Sequence, residues 1–411
     1  MLSRRAVILQ LPVAGFAASY AARAFAAEKT LTIGIALPLT GADAQAAQKV
    51  KEGAMMALDE INAKGGAAGY KLNALILDNG TATAGQYDPA QAATNARKMV
   101  ADKSVVAGIG PYMSGSGKAM APILSQGNLA TITPASTNPD ITDPKFAGQY
   151  RPGGKAIYFR TVTTDAYQGP NMANFYADTL KAKSVYVLDD SGAYGVGIAN
   201  TFQAQAAKRG IKVLGRDQLN PKEADYATIL TKIKALDPQA LYYGGVAQAG
   251  VKLVKQAHDI LPKVIKGGGD GLYGTDLLKG AGFPAAEGWY VTVAAPHVLG
   301  DAEVKAWVDR FRKKFGEGPE DYSITAYDAA LVIADAIKRV AAAGKPVNRE
   351  TVRDAIQTSK IKTLQGEVSF DEHGDIKNRV VSVFQIVKDA THPLDDLSFQ
   401  YKYIGVAPAS S

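Results

Sequence analysis

Leu31-Thr32-Ile33-Gly34-Ile35-Ala36-Leu37-Pro38 begins a segment that closes on Asp59-Glu60-Ile61-Asn62-Ala63-Lys64-Gly65-Gly66, and two successive patterns lie inside it. The first seven residues form a short apolar run stopped by proline, the pattern of a buried strand. Then Ala47, Val50, Ala54, Leu58 and Ile61 recur at spacings of three and four, which draws one apolar face along a helix. Lys64-Gly65-Gly66 ends that helix, since glycine takes the left-handed conformation of a C-terminal cap. A strand followed by a helix of this length is the unit from which parallel sheets are built.

The unit repeats in both directions of the argument. Strands are expected over 72–77, 105–109 and 129–133, with helices near 90–100 and 118–125. A second series follows, with strands over 185–188, 211–214, 240–243 and 264–266 and helices near 198–208, 226–236 and 249–261. Parallel strands need right-handed crossovers, so each series forms a doubly wound α/β lobe. Past Trp289 come two helices, near 303–315 and 325–340, and a hairpin-like pair around Asp371–Asp375. A chain that returns to its first lobe must cross more than once. Crossovers are expected near 159–165, 291–295 and 363–365, a three-crossover hinge that permits bending between lobes. This gives lobe 1 as 28–162 and 293–363, lobe 2 as 163–292 and 364–390, and 391–411 as a C-terminal tail.

Residues 1–27 read as a signal peptide. Arg4-Arg5 precede an uncharged run from Ala6 to Ala22, and Ala24-Phe25-Ala26-Ala27 supplies small residues for cleavage. The run is short of the roughly 20 apolar residues a spanning helix needs. The arginine pair fits twin-arginine export and equally an ordinary Sec signal. Either route makes the protein periplasmic. The 411 residues carry 46 Lys and Arg against 39 Asp and Glu, and three of the +7 net charges belong to the signal. The remaining charge is spread along the chain and forms no basic stripe for nucleic acid. Cysteine is absent, which removes disulfides, thiolate nucleophiles and cysteine-based metal sites. Four dispersed histidines offer no zinc spacing.

Tests for catalytic motifs fail in turn. Gly108-Ile109-Gly110 has Met113 where a dinucleotide fingerprint needs glycine, and Gly117-Lys118 has Tyr112 where a P-loop needs one. Ser359-x-x-Lys362 lacks the companion motifs of a penicillin-binding site. Asp189-Asp190 reads as a loop start. No cofactor, metal or enzymatic reaction is expected. Ser114-Gly115-Ser116-Gly117 has a different use, because a strand turning into a helix there aims free backbone N–H groups at the crevice beyond the strand ends. Ala130 to Thr137 ends a neighbouring strand with small hydroxyl residues. Ser114 alone would be an N-cap and Thr137 alone a turn residue; together they suit a carboxylate or a phosphate.

The residues of the first segment, Ile109-Gly110…Ser114, Ile132-Thr133-Pro134-Ala135-Ser136-Thr137, Gln168-Gly169-Pro170, Asp190…Tyr194-Gly195 and Tyr242-Tyr243-Gly244-Gly245 are arranged in an order that resembles the periplasmic leucine/isoleucine/valine-binding proteins. The likeness runs from about Thr32 to Val387. It implies the type I periplasmic binding protein fold, a branched-chain amino acid or related small carboxylate as ligand, and the transmembrane subunits of an ABC permease as partners of a monomer. It also implies a site. Ser114, Ala135 and Thr137 would hold the ligand carboxylate, Tyr194 and Tyr322 would flank it, and Asp270 would meet the α-ammonium. Asp270 stands where the family commonly has glutamate. Ala46 and Val246 replace two family aromatics, which makes the side-chain pocket roomier and keeps aromatic acids, keto acids and amides open as ligands. A periplasmic sensing module is the alternative to a transporter subunit.

Overall fold

The computed structural model describes residues 29–410. The segment expected to be a signal peptide, residues 1–27, lies outside that range, with Glu28 and Ser411. Five parallel strands form the first sheet, in the spatial order Lys71–Asp78, Thr30–Leu37, Val105–Ile109, Thr131–Thr133, Tyr158–Arg160. From Ile33 on, the opening strand is buried, as its unbroken apolar run requires. Its helix, Ala44–Ala63, buries Val50, Ala54, Leu58 and Ile61. Against that face lies the helix Asp321–Ala342, which arrives from far down the chain. The two backbones meet at Gly53, where a Cβ would stand 2.0 Å from the Ser323 carbonyl oxygen. Only glycine permits that approach.

The second sheet has seven strands, in the order Tyr401–Val406, Ser382–Ile386, Tyr290–Val293, Ile265–Gly268, Ala240–Gly244, Ser184–Asp189, Lys212–Gln218. Five are parallel, and the first two named are antiparallel additions from the chain end. The expected tail, 391–411, contributes a strand to this sheet in its described part, 391–410, and is not a tail there. Tyr401–Val406 is an edge strand, anchored by the Tyr401 hydroxyl, which donates to the carbonyls of Leu272 (2.8 Å) and Gly274 (3.2 Å). An edge strand pairs on one side only, so its short sequence shows little apolar alternation.

Three segments pass between the lobes side by side. Thr163 N–H donates to the Ala294 carbonyl at 2.8 Å, tying the first passage to the second. Ser382 ties the second to the third, its hydroxyl donating to the Ala295 carbonyl and accepting from His297 N–H. The third passage differs from the expected 363–365. Thr363, Leu364 and Gln365 all donate to the buried Asp328 carboxylate of the first lobe. Phe370 packs on Phe159, and Gly374 accepts from Arg160 N–H. The chain thus stays on the first lobe through Ile376 and crosses at 377–381. The reason is Asp328: a sealed carboxylate must find donors, and the turn at 363–365 supplies three.

Candidate functional site

The cleft between the lobes holds a cavity lined by residues of both. Five of the six expected residues line it: Ser114, Ala135, Tyr194, Asp270 and Tyr322. Thr137 does not. Its carbonyl accepts from Asp165 N–H at 2.9 Å, and its hydroxyl is buried behind the wall, on the Asp165 side. Ala46 and Val246 line the cavity as well.

On the first lobe the wall is made by helix and strand ends. Ser114 begins the helix Ser114–Gln126, whose first N–H groups have no carbonyl within the helix to serve. The Ser114 hydroxyl oxygen accepts from Asn138 N–H at 3.1 Å. Thr133 locks the adjoining loops, donating to the Pro111 carbonyl at 2.6 Å and accepting from Ser136 N–H at 2.8 Å. Beneath them lies Arg160, fully buried. Its guanidinium donates to the carbonyls of Ser136 (2.6 Å) and Asn138 (2.8 Å), to the Thr142 hydroxyl (3.1 Å) and to Asp375 (2.7 Å). A planar fork with five donors suits such a clamp, and a lysine would not reproduce it. Arg160 carries no local signal, since an arginine at a strand end gives no sign that its partners lie 18 to 215 residues away.

On the second lobe the wall carries charge. Asp270 follows the strand Ile265–Gly268 and is buried. A Cβ at Gly269 would lie 2.2 Å from the Tyr194 hydroxyl, and one at Gly271 would lie 2.2 Å from the Gly245 carbonyl. These glycines admit close packing, and Asp270 is no solvated turn residue. Its Oδ1 accepts from the Tyr194 hydroxyl (2.5 Å) and from Gln168 Nε2 (3.0 Å), and its Oδ2 accepts from the Tyr322 hydroxyl. Tyr322 comes from the first lobe, so this last bond crosses the cleft. Burial raises the Asp270 pKa, and the three donors work against the rise.

Gln168 also bridges Asp270 to a second sealed acid, donating to Asp165 Oδ1 at 3.0 Å. Burial and then repulsion from Asp270 push Asp165 to about 8. The local sequence, Gln168-Gly169-Pro170, carries part of the resemblance but gives the glutamine no role. Two more acids escaped it. Asp43 and Asp276 line the cavity from opposite lobes, beside Tyr112 and Tyr273. Asp276 Oδ2 accepts from Ala46 N–H at 3.0 Å across the cleft. The cavity lining contains no lysine, arginine or histidine.

The comparisons agree with this architecture. The family model described as periplasmic binding protein matches residues 30–391. A leucine-, isoleucine-, valine-, threonine- and alanine-binding protein from Pseudomonas aeruginosa is 32% identical over 381 residues, covering 93% of this chain and 95% of that one. A Leu/Ile/Val-binding protein from Rhizobium johnstonii is 32% identical over 360 residues, covering 87% and 92%. Among solved structures, a leucine-binding protein from Thermotoga maritima superposes with a TM-score of 0.78 at 26% identity, covering 92% of this chain and 98% of that one. A solute-binding protein from R. palustris in complex with benzoate reaches a TM-score of 0.75 at 18% identity, covering 93% and 98%, a likeness of fold alone. The sequence, the two lobes with their three passages, and the cleft between them place the chain in one family: it belongs to the periplasmic binding proteins.

Proposed function

We propose that this protein is the extracytoplasmic solute-binding subunit of an ABC importer, and that it captures an α-amino acid by lobe closure. One observation carries the reading. A single cavity has the helix start at Ser114 on one lobe and the hydrogen-bonded Asp270 carboxylate on the other. A zwitterion needs donors at one end and a negative acceptor at the other, and enclosure strengthens both contacts. Ser114 and the free N–H groups of its helix would hold the carboxylate; Asp270 would hold the ammonium; Tyr194 and Tyr322 keep Asp270 in place. Delivery then falls to a membrane permease recognising the closed monomer. Residues 1–27 would export it by the Sec or twin-arginine route. Binding and release require no covalent chemistry, and the protein acts as a carrier and not as an enzyme.

An aromatic acid is the second ligand class, favoured by the small Ala46 and Val246 in the lining. Its only charge is negative, however, and three carboxylates line the same space. A thermal-shift panel of L-α-amino acids, their α-keto analogues and benzoates tests the choice. A ligand at 100 times its Kd stabilises by about 2.7 kcal/mol. Stabilisation by an amino acid and none by its keto analogue is expected; the reverse would assign the site to acids without an amine.

A further inference from the structure

Asp270 accounts for one ammonium, yet the cavity is lined by three acids, more than one ammonium can answer. Asp43 sits just before the helix Ala44–Ala63, 5% exposed, and lines the cavity. Its side chain makes no hydrogen bond to that helix, and its Oδ2 is sealed without any partner. Asp276 faces the same space from the second lobe, with one oxygen committed to Ala46 N–H. Asp43 has only acids among its charged neighbours, Asp276 and Asp190, whereas Asp276 feels Lys279 and Lys49 from a distance. Lys49 is turned to Glu317 at 3.6 Å and to the Asp395 carbonyl. Lys279 is turned to Gln45 at 3.0 Å and to Asp395 at 3.5 Å. Around the two acids the lining is Ala46, Val246, Ala247, Gly274 and Leu277, with the hydroxyls of Tyr112 and Tyr273 as its donor side chains, and that of Tyr273 is committed to Asp321 at 2.6 Å.

A carboxylate enclosed without a donor costs several kcal/mol unless something supplies one. Ser114 and Asp270 border the same cavity as Asp43 and Asp276, so the space that takes an α-carboxylate and an α-ammonium also opens onto both acids. We propose that the ligand is an α-amino acid whose side chain ends in a cationic nitrogen, received by Asp43 with Asp276. The proposal rests on the amino-acid reading of the site and adds the side-chain class. Ala46 and Val246 are small and line the same cavity, which leaves length for a long side chain.

Calorimetric titration of the purified protein with L-lysine, L-arginine, L-leucine and benzoate tests it. L-lysine or L-arginine is expected to bind at least about 10-fold more tightly than L-leucine, the order of a hydrogen bond to a charged group. In Asp43→Asn that gap should close by about 10-fold or more, with melting in the absence of additive confirming that the variant folds. The ranking in the parent protein needs no variant and stands by itself. If L-leucine binds more tightly than both basic amino acids, the side-chain proposal is overturned and the amino-acid reading survives. Binding of benzoate alone would overturn both.

Discussion

The two walls of the cleft are built from different materials. The first lobe presents a helix start, hydroxyls and loop N–H groups, held from below by Arg160. The second presents Asp270, braced by Tyr194 and Gln168, with Asp276 beyond it. Neutral dipoles aimed at an anion cost little to bury once their loops are fixed, because their own hydrogen bonds are already distributed. A carboxylate aimed at a cation is expensive until the cation arrives. One wall can therefore be rigid and complete in advance, whereas the other gains most from the ligand. Asp43 breaks the division, being a carboxylate on the dipole wall, and that anomaly singles it out.

The comparison is most exposed at Arg160. If the first wall is fixed by that guanidinium, Arg160→Met should be costly, because four bonds go and two loop carbonyls lose their partners. Breaking a buried ion pair on one side costs about 3–5 kcal/mol. Urea denaturation followed by tryptophan fluorescence would measure it, and a loss under about 1 kcal/mol would mean that the loops hold themselves.

Next comes the charged wall. Asp270→Asn should weaken amino-acid binding by about 2–5 kcal/mol, or roughly 30-fold to several thousand-fold, because the ammonium would lose its buried counter-charge. Titration calorimetry with the best amino-acid ligand is the measurement. Unchanged affinity would remove Asp270 from the site. On the dipole wall the effect should be smaller. Ser114→Ala removes one hydroxyl and leaves the helix N–H groups, so about 1.5–3 kcal/mol, or roughly 10- to 150-fold, is expected. A larger loss for Ser114→Ala than for Asp270→Asn would reverse the contrast between the walls.

How much of this could be read from the sequence follows the same division. The strands, helices and two-lobe plan were legible because each rests on local periodicity, as at Val50, Ala54, Leu58 and Ile61. Ser114 was legible too, since a glycine-rich turn into a helix announces its own geometry. Asp270 came from the resemblance; its glycine neighbours looked like a turn until the Tyr194 hydroxyl was seen to need their space. Arg160, Asp43 and Asp276 were illegible for one reason. Their meaning lies in partners gained or missing across tens to hundreds of residues, and no local pattern encodes that. Asp328 hid the third crossover in the same way, by drawing 363–365 back to the first lobe.

The smallest effect concerns the anomaly itself. Burial first, then repulsion from Asp276 and Asp190, pushes Asp43 from 3.8 up to about 7. Between those values the folded protein binds a proton that the unfolded chain does not, so this group's contribution to stability falls as pH rises and is spent above about 7. Asp165, at about 8, pulls the same way, as does Asp328, at about 6. His297, which burial lowers but Asp321 raises on balance, also loses its stabilising proton as pH rises. The melting temperature without added ligand should therefore be lower at pH 8 than at pH 6. Asp43→Asn keeps the shape and removes one titration, so the variant should lose less over that interval, by about 1 kcal/mol. A basic amino acid should act on the parent as the mutation does, because a cation beside Asp43 favours its ionised form and removes the reason for it to take up a proton. If the parent and Asp43→Asn lose stability in parallel from pH 6 to pH 8, Asp43 is already ionised and answered by a group of the protein, and the dipole wall has no exception.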